Sequence, residues 1–156
     1  MNLAVTLLFA VGLVQTPADF SGTWRMDEAR SESPTYVEFV GPMTVTLTHT
    51  PAGLVIDTRR GGKSETIVYR MENSDVALAG GSGAPGSRAY WNGEALITET
   101  VRSVNGQTVR TKETRQLGPA GEMQTETLLI VEHGYTLQRG KNYNAARDVF
   151  VKATAK

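Results

Sequence analysis

The sequence predicts an all-β protein, an antiparallel up-and-down meander of roughly eight to ten strands that closes into a barrel. Apolar residues alternate with threonines and other polar residues along much of the chain, and short turn sequences interrupt this alternation at regular intervals. Such a meander closes because an open sheet would leave two long edges unpaired. One short helical turn is expected near residues 26–33, MDEARSES, where Asp27 or a neighbour can cap it.

The chain begins with an apolar segment, MNLAVTLLFAVGLVQTPA, which directly precedes DFSGTW. Its uncharged run from Leu3 to Val14 is shorter than the roughly 20 residues of a transmembrane helix and is typical of a secretory signal peptide. A buried N-terminal helix is the alternative. We predict a signal peptide over residues 1–18, one domain over residues 19–156, and a secreted or periplasmic protein that does not insert into the membrane after cleavage.

The composition argues against several classes of function. The 16 Lys and Arg residues balance the 16 Asp and Glu residues, so no basic surface for nucleic acid is expected. There is no Cys, and His49 and His133 lie beside turns without metal-ligand spacing, so we expect surface histidines and no metal. No cofactor-binding motif is present, and the Gly-rich stretch 80–87, GGSGAPGS, is interpreted as a mobile loop. The oligomeric state is left open.

Strands are predicted from period-two alternation between turn sequences. The first three lie at 43–50, 54–60 and 64–71, separated by TPAG and GGK. In the first of these, MTVTLTHT, the apolar residues Met43, Val45 and Leu47 share one face. Three longer strands follow at 94–104, 107–117 and 122–132, and His133-Gly134 is expected to form the next turn.

Two Asn-Gly pairs fix the register of the central hairpins. Asn92-Gly93 and Asn105-Gly106 both suit two-residue type I′ turns, in which both central residues have positive φ. The first turn would pair Trp91 with Glu94 and Ala89 with Leu96. The second would pair Thr98 with Glu113, Thr100 with Thr111, and Arg102 with Val109, and would place Glu99 opposite Lys112 as an exposed ion pair.

The connection around GPAG, residues 118–121, allows two registers. A four-residue loop would place Glu113 opposite Glu126, and like charges directly opposite destabilise a sheet. A five-residue connection through Glu122 leaves Glu126 in solvent. We therefore predict the second, which turns inward Met123, Thr125, Thr127, Leu129 and Val131.

Directly paired residues share a face, so the inward face of the central strands can be assigned, and it is polar. It carries Leu96, Thr98, Thr100, Arg102, Val109, Thr111, Glu113, Arg115 and Leu117. A dry core would not accept Glu113 and Arg115, because unpaired buried charge is costly. Either the barrel holds a cavity for water or a ligand, or this pair is solvated near an open end.

The stretch Gly22-Thr23-Trp24, with Phe20 and Met26 on the same face, resembles the signature of the lipocalins. The wider pattern of DFSGTWRMDEARSES, YWNGEALI and RDVFVKA resembles small secreted lipocalin-like, calycin-type barrels of bacteria, most of them uncharacterised. The resemblance implies that Gly22 and Trp24 close one end of the barrel and that an Arg from the last strand lies over the Trp ring. Arg147 is the matching residue. The second and third conserved blocks of true lipocalins, and their disulfide, are absent.

The expected function is that of an exported bacterial lipocalin-like protein that binds a small amphiphilic or hydrophobic molecule in its cavity. Arg115 or Arg102 would pair with a carboxylate of that ligand. The remaining candidate binding residues are Glu113, Thr98, Thr100, Thr111, Tyr69 and Trp91, with Leu96 and Val109 adding apolar contact. The alternatives are a non-catalytic interaction module with a filled barrel and, less favoured, a cavity enzyme with Glu113 as general base.

Overall fold

The described residues of the computed structural model form a closed barrel of nine strands with one 3₁₀ turn at Glu28–Arg30. They comprise residues 17–33, 42–51, 53–72, 86–132 and 141–154. The strands, in order around the barrel, are β1 (Gly22–Met26), β2 (Met43–Thr50), β3 (Gly53–Arg60), β4 (Lys63–Met71), β5 (Gly86–Asn92), β6 (Ala95–Val104), β7 (Gln107–Leu117), β8 (Met123–Glu132) and β9 (Lys141–Lys152). The predicted all-β barrel and its short helical turn are confirmed.

Several sequence predictions fall on other parts of the chain. Nearly all of the predicted signal peptide, the turn at His133-Gly134 and residues 80–85 of the Gly-rich loop lie outside the described residues. No helix within the described ranges is long and apolar enough to cross a membrane.

The hairpin at Asn105-Gly106 has the predicted register. Both residues have positive φ, 51° and 77°, as a type I′ turn requires. Thr100 therefore lies opposite Thr111, and Glu99 lies opposite Lys112. The five-residue connection before β8 is confirmed as well, since Leu117 pairs with Met123.

The other Asn-Gly hairpin is shifted from its predicted position. Asn92 remains in β5 and pairs with Ala95, so the turn residues are Gly93 and Glu94. Gly93 has a φ of 62° whereas Glu94 does not have a positive φ, which is the sign pattern of a type II′ turn with Gly first. The predicted partners of Trp91 and Ala89 were thus wrong by two positions. An even shift keeps every side chain on its predicted face.

The pairing of β4 with β5 departs from the predicted antiparallel meander. These strands run parallel, with Arg70 opposite Arg88 and Met71 opposite Ala89, whereas the other recorded pairings in the described chain are antiparallel. Directions cannot alternate around a closed ring with an odd number of strands, so nine strands require a parallel neighbour. Gly86 and Ser87, which were predicted to lie in the loop at 80–87, begin β5.

A network of side chains on the outer surface links β4, β5 and β6 at this parallel pair. The Arg88 guanidinium lies 2.9 Å from Glu99 Oε2 and 3.2 Å from Glu72 Oε2. On the other face of β5, the Ser87 hydroxyl also donates to the Val68 carbonyl at 2.7 Å. Side-chain bonds therefore supplement a backbone ladder that is short.

The predicted exposed ion pair between Glu99 and Lys112 is wrong in its partner and in its exposure. The two residues do lie opposite one another, but Glu99 is only 7% exposed and binds Arg88 on the strand at its other side. Tyr90 donates a second hydrogen bond to Glu99 at 3.1 Å. Parity placed Glu99 on the outer face correctly, and Ile97 on that face is buried as well.

We expect Arg88→Met to lower the free energy of unfolding by about 2 kcal/mol, because Glu99 would lose the cation that compensates its burial. Arg70→Met is the matched control, since Arg70 lies opposite Arg88 but has a side chain that is 78% exposed. Exposed ion pairs contribute little, so the control should unfold nearly as wild type does. Urea unfolding followed by circular dichroism measures both, and equal losses would show that the network does not stabilise the parallel pair.

Trp24, which the family resemblance predicts to close one end of the barrel, is buried in its core. Its side chain is 1% exposed, and its indole Nε1 donates to the Phe20 carbonyl at 2.8 Å. Phe20 and Met26 are buried in the same core cluster. Gly22 has a φ of 111°, a backbone conformation that side chains with a Cβ rarely adopt, so glycine is required where the strand enters this end.

The cation over the Trp24 ring is Lys152, which corrects the expected role of Arg147. Lys152 Nζ lies 5.4 Å from the ring centroid, and Lys152 pairs directly with Trp24 across β1 and β9. Arg147 lies in the middle of β9, where its side chain is 78% exposed and pairs with Glu126 on the outer face. The physical reason is the alternation of side chains along a strand, in which residues an odd number of positions apart lie on opposite faces. Arg147 is three positions from the buried Phe150 and faces outward, whereas Lys152 is two positions from it and faces inward.

Candidate ligand cavity

A cavity of about 430 Å³ occupies the barrel interior at the end opposite Trp24. Its mouth is open to solvent, since the lining residues Arg102 and Glu65 are about half exposed and form an ion pair at 2.7 Å. Its walls combine apolar side chains with a belt of hydroxyls. The apolar residues include Met43, Ile56, Ile67, Val109 and Leu129, and the threonines are Thr58, Thr98, Thr100, Thr111 and Thr127.

The alternation of β6, β7 and β8 brings the threonines together. Each strand places every second residue inside, so Thr98 and Thr100 on β6 face Glu113 and Thr111 on β7. The next strand, β8, adds Thr127 opposite Glu113. The polar face predicted from the sequence is therefore the wall of a real cavity, and this end of the barrel is not filled.

The buried guanidinium of Arg115 lies beneath the floor of the cavity. Arg115 is 3% exposed, and its Nη2 lies 2.7 Å from Glu113 Oε2. Its Nη1 donates to Thr98 Oγ1 at 2.8 Å, and that hydroxyl donates to Glu113 Oε2 at 3.2 Å. Arg115 Nε and Thr125 Oγ1 are buried and have no hydrogen-bond partner among the described residues.

Tyr69 adds a neutral hydroxyl beside this network. Burial first, and then the negative charge of Glu113, raise the pKa of Tyr69 to about 12. Its phenol lies near the side chain of Thr98. Tyr69 therefore stays protonated at neutral pH and can both donate and accept a hydrogen bond.

A second acidic group in the wall was missed by sequence reasoning. Asp148 on β9 is 4% exposed, lines the cavity and accepts a hydrogen bond from the Ser33 backbone N–H at 2.9 Å. The Ser33 hydroxyl in turn lies 3.5 Å from Arg60 Nη2 at the mouth. The signal was available, because Asp148 lies two residues before Phe150 and so shares the inward face of that strand.

The structure brings six of the predicted binding residues together on the cavity lining, namely Thr98, Thr100, Arg102, Thr111, Glu113 and Tyr69. Arg115 lies beneath this lining rather than on it, and Leu96 is part of the apolar core. Trp91 belongs to the opposite end, where its ring lies 6.0 Å from that of Phe20 and stacks on exposed His49 at 6.4 Å. The described residues contain no group of three or more acidic or histidine side chains that could hold a metal.

No protein-family model matches the chain, and no curated protein sequence matches it. Solved structures do. The apo crystal structure of lipid binding protein 8 of Caenorhabditis elegans aligns with a TM-score of 0.57 at 13% identity, covering 86% of this chain and 95% of that one. The fluorescent protein UnaG aligns with a TM-score of 0.49 at 13% identity, covering 86% and 97%.

The fold is a lipocalin-like barrel. At such low identity the likeness to lipid binding protein 8 establishes the fold and nothing about the ligand. The ligand that the cavity can bind depends on its own side chains.

Proposed function

We propose that this lipocalin-like barrel binds a small amphiphilic or hydrophobic molecule in its cavity, without catalysis. The observation that carries the proposal is the cavity itself, which has a volume of about 430 Å³, a closed floor, an open mouth and mixed apolar and hydroxyl walls. Small-molecule sites are commonly concave spaces of roughly 300–1,000 Å³ with apolar walls and a few polar groups that fix orientation. Lipid binding protein 8, whose fold is similar, bears a name that accords with this function.

Several residues of the cavity have a proposed part in binding. Val109 and Leu129 would contact the apolar portion of the ligand, while Thr100, Thr111 and the neutral phenol of Tyr69 would supply adaptable hydrogen bonds. Arg115 would act indirectly, by holding the Glu113 carboxylate in place from below.

We further propose that the protein is bacterial and is exported to the periplasm or beyond. Two sequence features support this proposal: the signal-peptide pattern at residues 1–18, and the resemblance of the mature sequence to small secreted bacterial barrels. The amino-terminal sequence of protein recovered from the periplasm of an expressing bacterium would test it, and retention of residues 1–18 there would contradict it.

Binding can be tested with Nile red, an uncharged dye whose fluorescence rises in an apolar environment. We expect wild-type protein to bind the dye and Leu129→Trp to weaken binding by about 10-fold or more, since close packing leaves no room for both an indole and a ligand. Leu128→Trp is the matched control, because Leu128 is the adjacent residue on β8 and faces away from the cavity.

The comparison is informative only if both variants fold, which their circular dichroism and melting temperatures would establish. Equal dye binding by the two tryptophan variants would place the dye on the outer surface and would contradict the proposal. A wild-type protein that binds neither Nile red nor any amphiphile would contradict it as well.

A further inference from the structure

We infer that the ligand carries a cationic, hydrogen-bond-donating head group such as an amine, which the Glu113 and Asp148 carboxylates hold near the cavity floor. This inference rests on the proposed function and specifies its ligand class. It departs from the sequence-based expectation of a carboxylate on Arg115.

The two terminal nitrogens of the guanidinium deep in the barrel are already engaged, and its Nε is buried. Arg115 is almost fully buried, its two terminal nitrogens bind Glu113 and Thr98, and it does not line the cavity. An anionic head group would have to displace Glu113 to reach it, and would then lie close to that displaced carboxylate. Like charges held close together repel, so a carboxylate ligand is disfavoured there.

The free acceptors at this depth are carboxylate oxygens. Glu113 uses Oε2 for Arg115 and Thr98, and Asp148 uses Oδ1 for the Ser33 N–H. Among the described residues, no hydrogen bond is recorded to Glu113 Oε1 or to Asp148 Oδ2, although both residues line the cavity. A carboxylate can accept on both oxygens, so the oxygen that no described residue uses is available to a donor on the ligand.

The two carboxylates lie on one wall, on the strands that flank β8. Glu113 pairs with Thr127 of β8, and Thr127 pairs with Ala146 of β9, two residues before Asp148. The Thr127 hydroxyl also lines the cavity and can accept a further hydrogen bond from an ammonium group, which has three donors.

The cations that line the cavity are Arg102 at its mouth and Arg60, which lies near Ser33 on the side of Asp148. Arg102 is paired with Glu65, and Arg60 approaches the Ser33 hydroxyl. Between mouth and floor the wall is apolar at Val109 and Leu129, which lie nearer the mouth on the same strands as Glu113 and Thr127. This order of groups suits an amphiphile whose amine reaches the floor and whose chain extends toward the mouth.

The test uses three straight-chain amphiphiles of equal length, decylamine, decanol and decanoate, each displacing Nile red from wild-type protein at neutral pH. We expect decylamine to bind at least about 10-fold more tightly than decanoate, which is the scale of one hydrogen bond to a charged group. Decanol should bind with an affinity between the two. Decanoate binding as well as or better than decylamine would overturn the inference while leaving the proposed function intact. If none of the three displaces the dye, binding of amphiphiles fails and the inference fails with it.

Variants of Glu113 and Asp148 then test whether these residues cause the preference for the amine. Glu113→Gln keeps an oxygen that can accept from Arg115, and Asp148→Asn keeps one for the Ser33 N–H, so both should fold. Each should lower decylamine affinity several-fold, up to about 10-fold, and lower decanol affinity clearly less. Glu126→Gln, an acidic residue on the outer face of β8, is the control and should change neither. Equal losses for amine and alcohol would mean that the carboxylates only support the floor, which would overturn the inference.

Discussion

Trp24→Ala is expected to lower the free energy of unfolding by about 3–5 kcal/mol, the usual cost of truncating a buried aromatic residue. Trp24 is 1% exposed, and its truncation also removes the indole that donates to the Phe20 carbonyl at 2.8 Å. The whole stability of a domain is commonly about 5–15 kcal/mol, so this variant should be largely unfolded under mild denaturing conditions. Urea unfolding followed by far-ultraviolet circular dichroism measures the loss.

Trp91→Ala provides the matched control for this variant. Trp91 lies at the same end of the barrel and contacts Phe20, but it is only partly buried and stacks on exposed His49. Its loss should therefore be clearly smaller than that of Trp24, at about 1–2 kcal/mol. A Trp24→Ala protein that melts within a degree or two of wild type would show that this residue does not close the barrel.

Arg115→Met is expected to lower the free energy of unfolding by about 3 kcal/mol, because the buried network would lose its cation. Glu113 and Thr98 would both lose the guanidinium that they bind at 2.7 and 2.8 Å. Arg110→Met is the control on the same strand, since Arg110 faces outward between the cavity-lining residues Val109 and Thr111. Its effect on unfolding should be small.

A double-mutant cycle separates the loss of the ion pair from the loss of packing. Glu113→Gln combined with Arg115→Met should be less destabilised than the sum of the two single variants, because the remaining partner is no longer a charged group left unpaired. Strictly additive losses would show that the two side chains are not coupled, and the account of the cavity floor would have to be abandoned.

The alternation of residues and the turn sequences predicted most of the fold. Period-two alternation located β2 and β7 at their observed ends, and positive φ at Asn105 and Gly106 fixed the register that brings Glu113 opposite Thr98. Gly93 was ambiguous because a glycine suits the second position of a type I′ turn and the first position of a type II′ turn. Both turns keep the faces unchanged, so the polar interior was predicted despite the wrong partners.

The sequence could not show how deeply an inward side chain lies in the barrel, or which strands pair at the closing edges. Alternation shows that Arg115 points inward, but it does not show that the side chain lies below the lining of the cavity. The family resemblance suggested that Arg147 lies over the Trp24 ring. Strand alternation places Lys152 there instead, because it lies two residues beyond Phe150 and so shares its inward face. The parallel pairing of β4 with β5 depends on the total number of strands in the ring, which no local pattern encodes.

That parallel pair has a consequence for how the chain folds. The ring consists of one run of strands up to β4 and a second from β5 to β9, and within each run the successive strands pair as antiparallel neighbours. The runs meet at two seams of only two and three residue pairs, β4 with β5 and β1 with β9. Contacts between near neighbours in sequence form at low entropic cost, whereas pairing β1 with β9 must close a loop that spans the whole barrel. We therefore expect the barrel to form from two antiparallel runs of strands, with the pairing of β1 and β9 as a late step of folding.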